Sequence, residues 1–176
     1  MKKAAIGIVV LLVLFFGYVS TREGKFHYEA SGVIHAPAEK IFPYISNFKL
    51  GDQWSPYQKA DPEMKKTFGG ADGQVGSTLE FDSKNSGTGK LEILSMVPNQ
   101  SVDIRLTMIK PVHGENLVRY TLTPDSGETR FTWTMEGDGG YLTKLISVFI
   151  DCEKMVVGQF KEGIANLKAL MEAPQK

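Results

Sequence analysis

The C-terminal stretch constrains this chain more than any other segment. After Gly140 the apolar positions recur at three- and four-residue steps, through Leu145, Phe149, Cys152, Val156, Phe160, Ile164, Leu167 and Met171. Lys154, Lys161, Glu162, Lys168 and Glu172 take the other side. Read as one helix of about thirty residues, the stretch would be on the order of 45 Å long. A rod with so long an apolar stripe cannot stand in water; it needs a broad apolar partner.

The middle of the chain offers one. Ser77 to Asp82, Gly89 to Val97, Val102 to Lys110, Asn116 to Thr123 and Thr129 to Glu136 alternate apolar with polar residues. Turn signals separate them, such as Gly87, Pro98-Asn99, Gly114 and Asp125-Ser126-Gly127. Val102, Ile104, Leu106 and Met108 share one face of their strand, as do Phe131, Trp133 and Met135. This is the pattern of an antiparallel sheet with one wet side. An earlier strand begins at Phe26, and a short helix follows over "APAEKIFPYISNF", with Pro37 suited to its first turn. Pro43 removes a donor in mid-helix and predicts a kink or a split. Beyond it lies "QWSPYQKADP", where Trp54 and Tyr57 sit among prolines and serve either as a plug for the core or as the gate of a cavity.

At the other end, "MKK" precedes sixteen uncharged residues, Ala4 to Val19. As a helix they reach about 24 Å, a little short of a bilayer core of about 30 Å. Small residues do not fall at the positions a signal-peptide cut requires, so an uncleaved anchor is favoured over a signal peptide. Lys2 and Lys3 upstream orient such an anchor with the body on the extracytoplasmic, periplasmic side; a cleaved segment would leave it secreted. The expected organisation is an anchor over 1–20, a tether over 21–25, one domain over 26–172 and a tail over 173–176.

The 20 basic and 20 acidic residues cancel, leaving no positive field for a nucleic acid partner. The one cysteine, Cys152, has no internal partner and is expected as a buried thiol in the helix. His27, His35 and His113 lie on separate segments without ligand spacing, so no metal is expected, and no cofactor. Neither Ser31 nor Ser55 sits in a nucleophile elbow, and the glycines of "FGGADGQVG" open no helix and lack a phosphate-loop lysine. Asp151 and Lys154 read as a surface pair. No catalytic residue is assigned.

The order of strand, short helix, strands and long terminal helix, together with "APAEKIFPYISNFKLGDQWSPYQKADPEMKKTFGG", "IKP", "TRFTWTMEG" and "FIDCEKMVVGQFKEGIANLKAL", resembles the START-like SRPBCC superfamily, specifically its polyketide cyclase/dehydrase and lipid-transport-like members. The resemblance covers about Phe26 to Glu172. It implies the α+β helix-grip fold, in which a curved antiparallel sheet wraps a C-terminal helix around a cavity. It places Trp54 and Tyr57 at the closed end of that cavity and carries no catalytic motif over.

Candidate ligand-binding residues are therefore Trp54, Tyr57, Met108, Tyr120, Trp133, Met135, Phe149, Val156 and Phe160. For each, ordinary core packing is the competing role. Three functional readings follow. The first is a membrane-anchored domain that binds a small hydrophobic or lipid-like ligand, favoured because apolar lining is abundant and a convergent catalytic set is not. The second is a cyclase or dehydratase-type enzyme using the same cavity. The third is an envelope stress or protein-interaction module whose cavity is filled by side chains. Oligomeric state is not legible from the chain.

Overall fold

The computed structural model describes residues 2–173, so of the expected tail only Ala173 is described. Helix α1 (Lys2–Ser20) precedes strand β1 (Lys25–Ile34), helix α2 (Ala38–Ser46), a 3-10 helix (Phe48–Gln53) and helix α3 (Pro56–Lys59). Strands β2 (Lys65–Gly69), β3 (Thr78–Ser83), β4 (Gly87–Val97), β5 (Ser101–Lys110), β6 (Gly114–Asp125) and β7 (Glu128–Asp138) follow, then helices α4 (Gly140–Ile146) and α5 (Cys152–Glu172). The strands form one seven-stranded antiparallel sheet in the order β1-β7-β6-β5-β4-β3-β2. Every strand except β1 pairs with its chain neighbour. β1 closes the far side against β7.

Register puts the apolar residues on one face. Tyr120 lies opposite Trp133, Val118 opposite Met135, Ile104 opposite Val118 and Leu91 opposite Leu106. Irregularities between Thr88 and Gly89, and between Ile93 and Ser95, interrupt the β4–β5 ladder; such insertions bend a strand and raise its twist. At the first, a Cβ on Gly89 would lie 2.7 Å from both the Phe81 ring and the Thr107 carbonyl oxygen, so only glycine permits the approach. The resulting concave face receives α5, which packs chiefly on β1 and also touches α2 and α3.

Five expectations need correction. The terminal helix is two helices, because Asp151 accepts a hydrogen bond from the backbone N–H of Lys154 (2.9 Å) and so caps a new helix at Cys152. The predicted Asp151–Lys154 surface pair is thus a side chain-to-backbone cap. Cys152, at that first turn, is half-buried rather than buried. Pro43 neither splits α2 nor ends it: the helix continues to Ser46 with Ile41 and Ile45 buried. A further strand, β2, was not expected, since "KKTFG" offers little apolar alternation on an edge that is mostly exposed.

Among the described residues no helix is long and apolar enough to cross a membrane. Of the expected anchor over 1–20, Lys2–Ser20 is helical, but Lys2 and Lys3 head it and its uncharged run of about 24 Å falls short of a bilayer core. The C-terminal end of α1 rests on the body. Val19 is buried, the Phe15 ring lies 6.1 Å from that of Phe149, and Lys144 Nζ donates to the Ser20 carbonyl oxygen (3.4 Å).

Candidate functional site: an uncharged cavity between sheet and helix

A cavity of about 510 Å³ opens between the concave sheet and the N-terminal half of α5. Its floor is Leu79 and Phe81 of β3, Leu91 of β4, Leu106 and Met108 of β5, Asn116, Val118 and Tyr120 of β6, and Trp133 and Met135 of β7. Met155, Val156, Gln159 and Phe160 of α5 form the roof. One end is closed by Ser55, Tyr57, Gln58, Ala60 and Met64 around α3, with Asn85 and Ser86 of the β3–β4 turn beside them. Met155 is 58 % exposed and so belongs to the rim.

Of the predicted residues, the structure brings together Tyr57, Met108, Tyr120, Trp133, Met135, Val156 and Phe160 around this one space. It leaves out Trp54 and Phe149. Trp54 is buried behind the lining, where its indole N–H donates to the Tyr44 carbonyl oxygen (2.9 Å) and its own carbonyl accepts from Asn166 of α5 (3.1 Å). Its ring meets those of Tyr120, Phe131 and Trp133 edge-on at 5.7, 6.2 and 5.5 Å. Trp54 is the plug, whereas Tyr57, with Ser55, Gln58 and Ala60 of the same stretch, reaches the cavity. Phe149 is 74 % exposed because the α4–α5 break turns it off the helical stripe and out of the sheet's concavity.

The lining contains residues that sequence reasoning did not single out. Leu91 and Leu106 follow from strand alternation, since Leu106 shares its face with Met108. Met155 and Gln159 are helical neighbours of Val156 and Phe160. Met64, Gln58, Asn85 and Asn116 had no comparable signal. With Met64, Met108, Met135 and Met155 in the wall, four of the chain's seven methionines face one space. Unbranched thioether side chains adapt to irregular contents.

No lining side chain carries a charge at neutral pH. Lys66 reaches the Gln58 side-chain oxygen at 3.5 Å and is already paired with Asp52. Burial pushes the Tyr57 hydroxyl up to about 12. Burial, and secondarily the neighbouring Tyr57, raises that of Tyr120 as well. Both are therefore neutral donors. Neither hydroxyl hydrogen-bonds a protein group among the described residues, and the buried Trp133 Nε1 has no partner either. Among the described residues no cluster of His, Cys, Asp or Glu is placed to hold a metal.

A curved antiparallel sheet gripping a C-terminal helix, with a partly open, largely apolar space between them, defines a helix-grip domain of the START-like type. A family profile described as polyketide cyclase / dehydrase and lipid transport matches residues 25–172. The chain belongs to that family, and its class is a ligand-binding or cyclase-type domain. No curated protein matches the chain. Protein CV1439 from Chromobacterium violaceum shares the fold with a TM-score of 0.61 and 19% identity, over 84% of this chain and 98% of its own. The Aha1 dimer from Colwellia psychrerythraea gives 0.59 and 17%, over 86% and 99%. Protein Ms6760 from Mycobacterium smegmatis gives 0.59 and 16%, over 85% and 93%.

Proposed function

We propose that the domain binds a small hydrophobic or lipid-like molecule in the sheet–helix cavity and is held beside a membrane by α1. The observation that carries the binding reading is the 510 Å³ space itself, lined mainly by apolar and methionine side chains and by no charged group. Cyclase or dehydratase chemistry needs a group that takes up a proton near neutral pH. The ionisable groups of the lining are tyrosines, which stay protonated there. An interaction module with a side-chain-filled core has no use for open volume of this size. Binding is therefore the reading the geometry supports best.

The membrane component rests on α1. Ile6, Ile8, Val9, Val10, Leu11, Val13 and Leu14 are each at least half exposed, and at about 100° per residue these positions are spread round the whole circumference. A helix apolar all round is not a water-facing surface helix. Phe149 and Ile150 add exposed apolar area beside its C-terminal end, on the loop that leads to the rim residue Met155. On this reading the cavity mouth lies near the lipid phase, where an apolar ligand is concentrated. Lys2 and Lys3 orient the body to the extracytoplasmic side.

Native mass spectrometry of the full chain released from detergent, followed by solvent extraction, tests the binding. A discrete co-purifying hydrophobe that is lost in Val156→Phe supports it; an apo mass after exposure to total lipid extract refutes it. Protease added to intact spheroplasts tests the topology: digestion of the body supports the extracytoplasmic placement, and protection refutes it.

A further inference from the structure

Outside α1, most of the large apolar residues that stand exposed gather at one end of the body: Ile109, Tyr141, Phe149, Ile150 and Met155, against Phe68, Val75 and Val97 elsewhere. Register fixes that end. Lys25 pairs with Asp138, Gly137 with Asn116 and Met108 with Gly114, so the start of β1, the end of β7 and the end of β5 lie side by side. Helix α5 begins there too, since its far end is bonded to His35, just past the other end of β1. The same end holds α1. Val19 is buried, Tyr141 Oη donates to the Phe16 carbonyl oxygen (3.4 Å), Lys144 Nζ donates to that of Ser20 (3.4 Å) and the Gly139 N–H donates to that of Gly24 (3.2 Å). These bonds hold the body against α1.

The level of the contact along α1 sets its depth. The Phe149 ring lies 6.1 Å from that of Phe15, which stands four residues inside the end of the uncharged run at Val19, or about 6 Å along the helix axis. Whatever surrounds Phe15 and Phe16 therefore also meets Phe149 and Tyr141. The run itself, about 24 Å against a bilayer core of about 30 Å, falls short by a similar length. A span that short leaves its end, and the body fastened there, below the headgroups unless the bilayer thins. An exposed apolar corner suits that position, and Arg22 and Lys25 just beyond it have side chains long enough to reach the headgroups. Resting on the membrane placement of α1 proposed above, we infer that the body makes a second contact of its own with the bilayer: the corner between α4 and α5, led by Phe149 and Ile150, is sunk in the boundary between headgroups and acyl chains, where interfacial apolar surfaces are held. Continuity with α1 decides for lipid over a protein partner, because a soluble protein would have to enter the bilayer beside Phe15 to cover Phe149. Met155, in the first turn of α5, places the cavity rim next to this contact.

Site-specific labels measure that depth, in the full chain carrying Cys152→Ser and reconstituted in phosphatidylcholine nanodiscs. A nitrobenzoxadiazole label is attached in turn through Phe149→Cys at the corner, Ile109→Cys on β5, Val10→Cys within α1 and Gln100→Cys at the far end of the sheet, all of them exposed positions. The Phe149→Cys label should be quenched by lipid that carries a nitroxide near the headgroup, and should be severalfold less accessible to aqueous iodide than the Gln100→Cys label. The Ile109→Cys label should follow it. A Phe149→Cys label as open to iodide as the Gln100→Cys one, with the Val10→Cys label immersed in lipid, overturns the second contact and leaves α1 as the anchor. Shielding of the Phe149→Cys label from iodide and nitroxide alike overturns it too, because a second copy or another protein then covers the corner. Exposure of the Val10→Cys label to iodide overturns the membrane placement of α1 itself.

Discussion

Helix α5 faces the same sheet along its whole length, yet its two halves behave differently. The C-terminal half is seated in close contact. A Cβ on Gly32 would lie 2.7 Å from Ile164 Cγ2, a Cβ on Gly163 would lie 2.7 Å from the Trp133 ring, and Leu167 and Phe131 are fully buried. The N-terminal half stands off from the sheet over Leu106, Met108 and Met135, and the gap is the cavity. Glycines on both partners allow backbones to approach at one end. At the other, long side chains line a space they do not fill. The two tryptophans repeat the contrast: Trp54, satisfied by Tyr44, belongs to the packed region, whereas the Trp133 ring packs on Phe160 and Gly163 and also lines the open one.

The sharpest way to break this comparison is to truncate one large residue in each half. Phe131→Ala removes a ring at zero exposure that does not line the cavity, and should cost about 3–5 kcal/mol in a denaturant melt. Met135→Ala only enlarges a space already present, and should cost less than about 2 kcal/mol, because few packed neighbours are lost. Equal losses would mean that the two halves are packed alike.

Adding volume should reverse the order. Gly32→Ala drives a methyl into Ile164 and is expected to cost about 1–3 kcal/mol. Val156→Phe projects into open space, so stability should change by less than about 1 kcal/mol while any co-purifying ligand disappears. A Val156→Phe variant as damaged as Gly32→Ala would argue that the space collapses in solution.

Much of this was legible in the chain. Alternation fixed the inward faces of β5 and β7, and seven of the nine proposed residues converge because strand register and helical period both leave little freedom. The two that do not converge depended on local geometry. Phe149 keeps the helical period, but the Asp151 cap ends that period two residues later, a side chain-to-backbone bond that periodicity does not register. Trp54 and Tyr57 are three residues apart in one stretch, and which of them fills the core was decided by the Tyr44 carbonyl, an acceptor ten residues earlier. The void itself was implied by the family's fold; its lack of charge emerged only when Gln58, Asn116 and Gln159 were found to supply the polar part of its wall.

The smallest expected effect concerns how the packed half is fastened. Near the end of α5, Glu172 Oε1 accepts from the backbone N–H of His35 (2.9 Å) and from its ring, and this clasp ties the helix to the end of β1. The bond from the His35 backbone is the first cause that holds the Glu172 carboxyl below its ordinary value, followed by the ring bond and Lys168. A carboxyl lowered on folding contributes stability that is fully present above its unfolded value and fades as pH falls through the folded one. The cavity half has no such clasp to the sheet among the described residues; its carboxylate bond is the Asp151 cap on the Lys154 backbone N–H, at the helix start and outside the cavity wall. Amide exchange across α5 should therefore quicken at 167–172 as the pH drops below the usual glutamate range, with less change at 155–160, and Glu172→Gln should largely remove the difference. Uniform acceleration along the helix, unchanged in that variant, would show that acid acts on the fold as a whole rather than through this clasp.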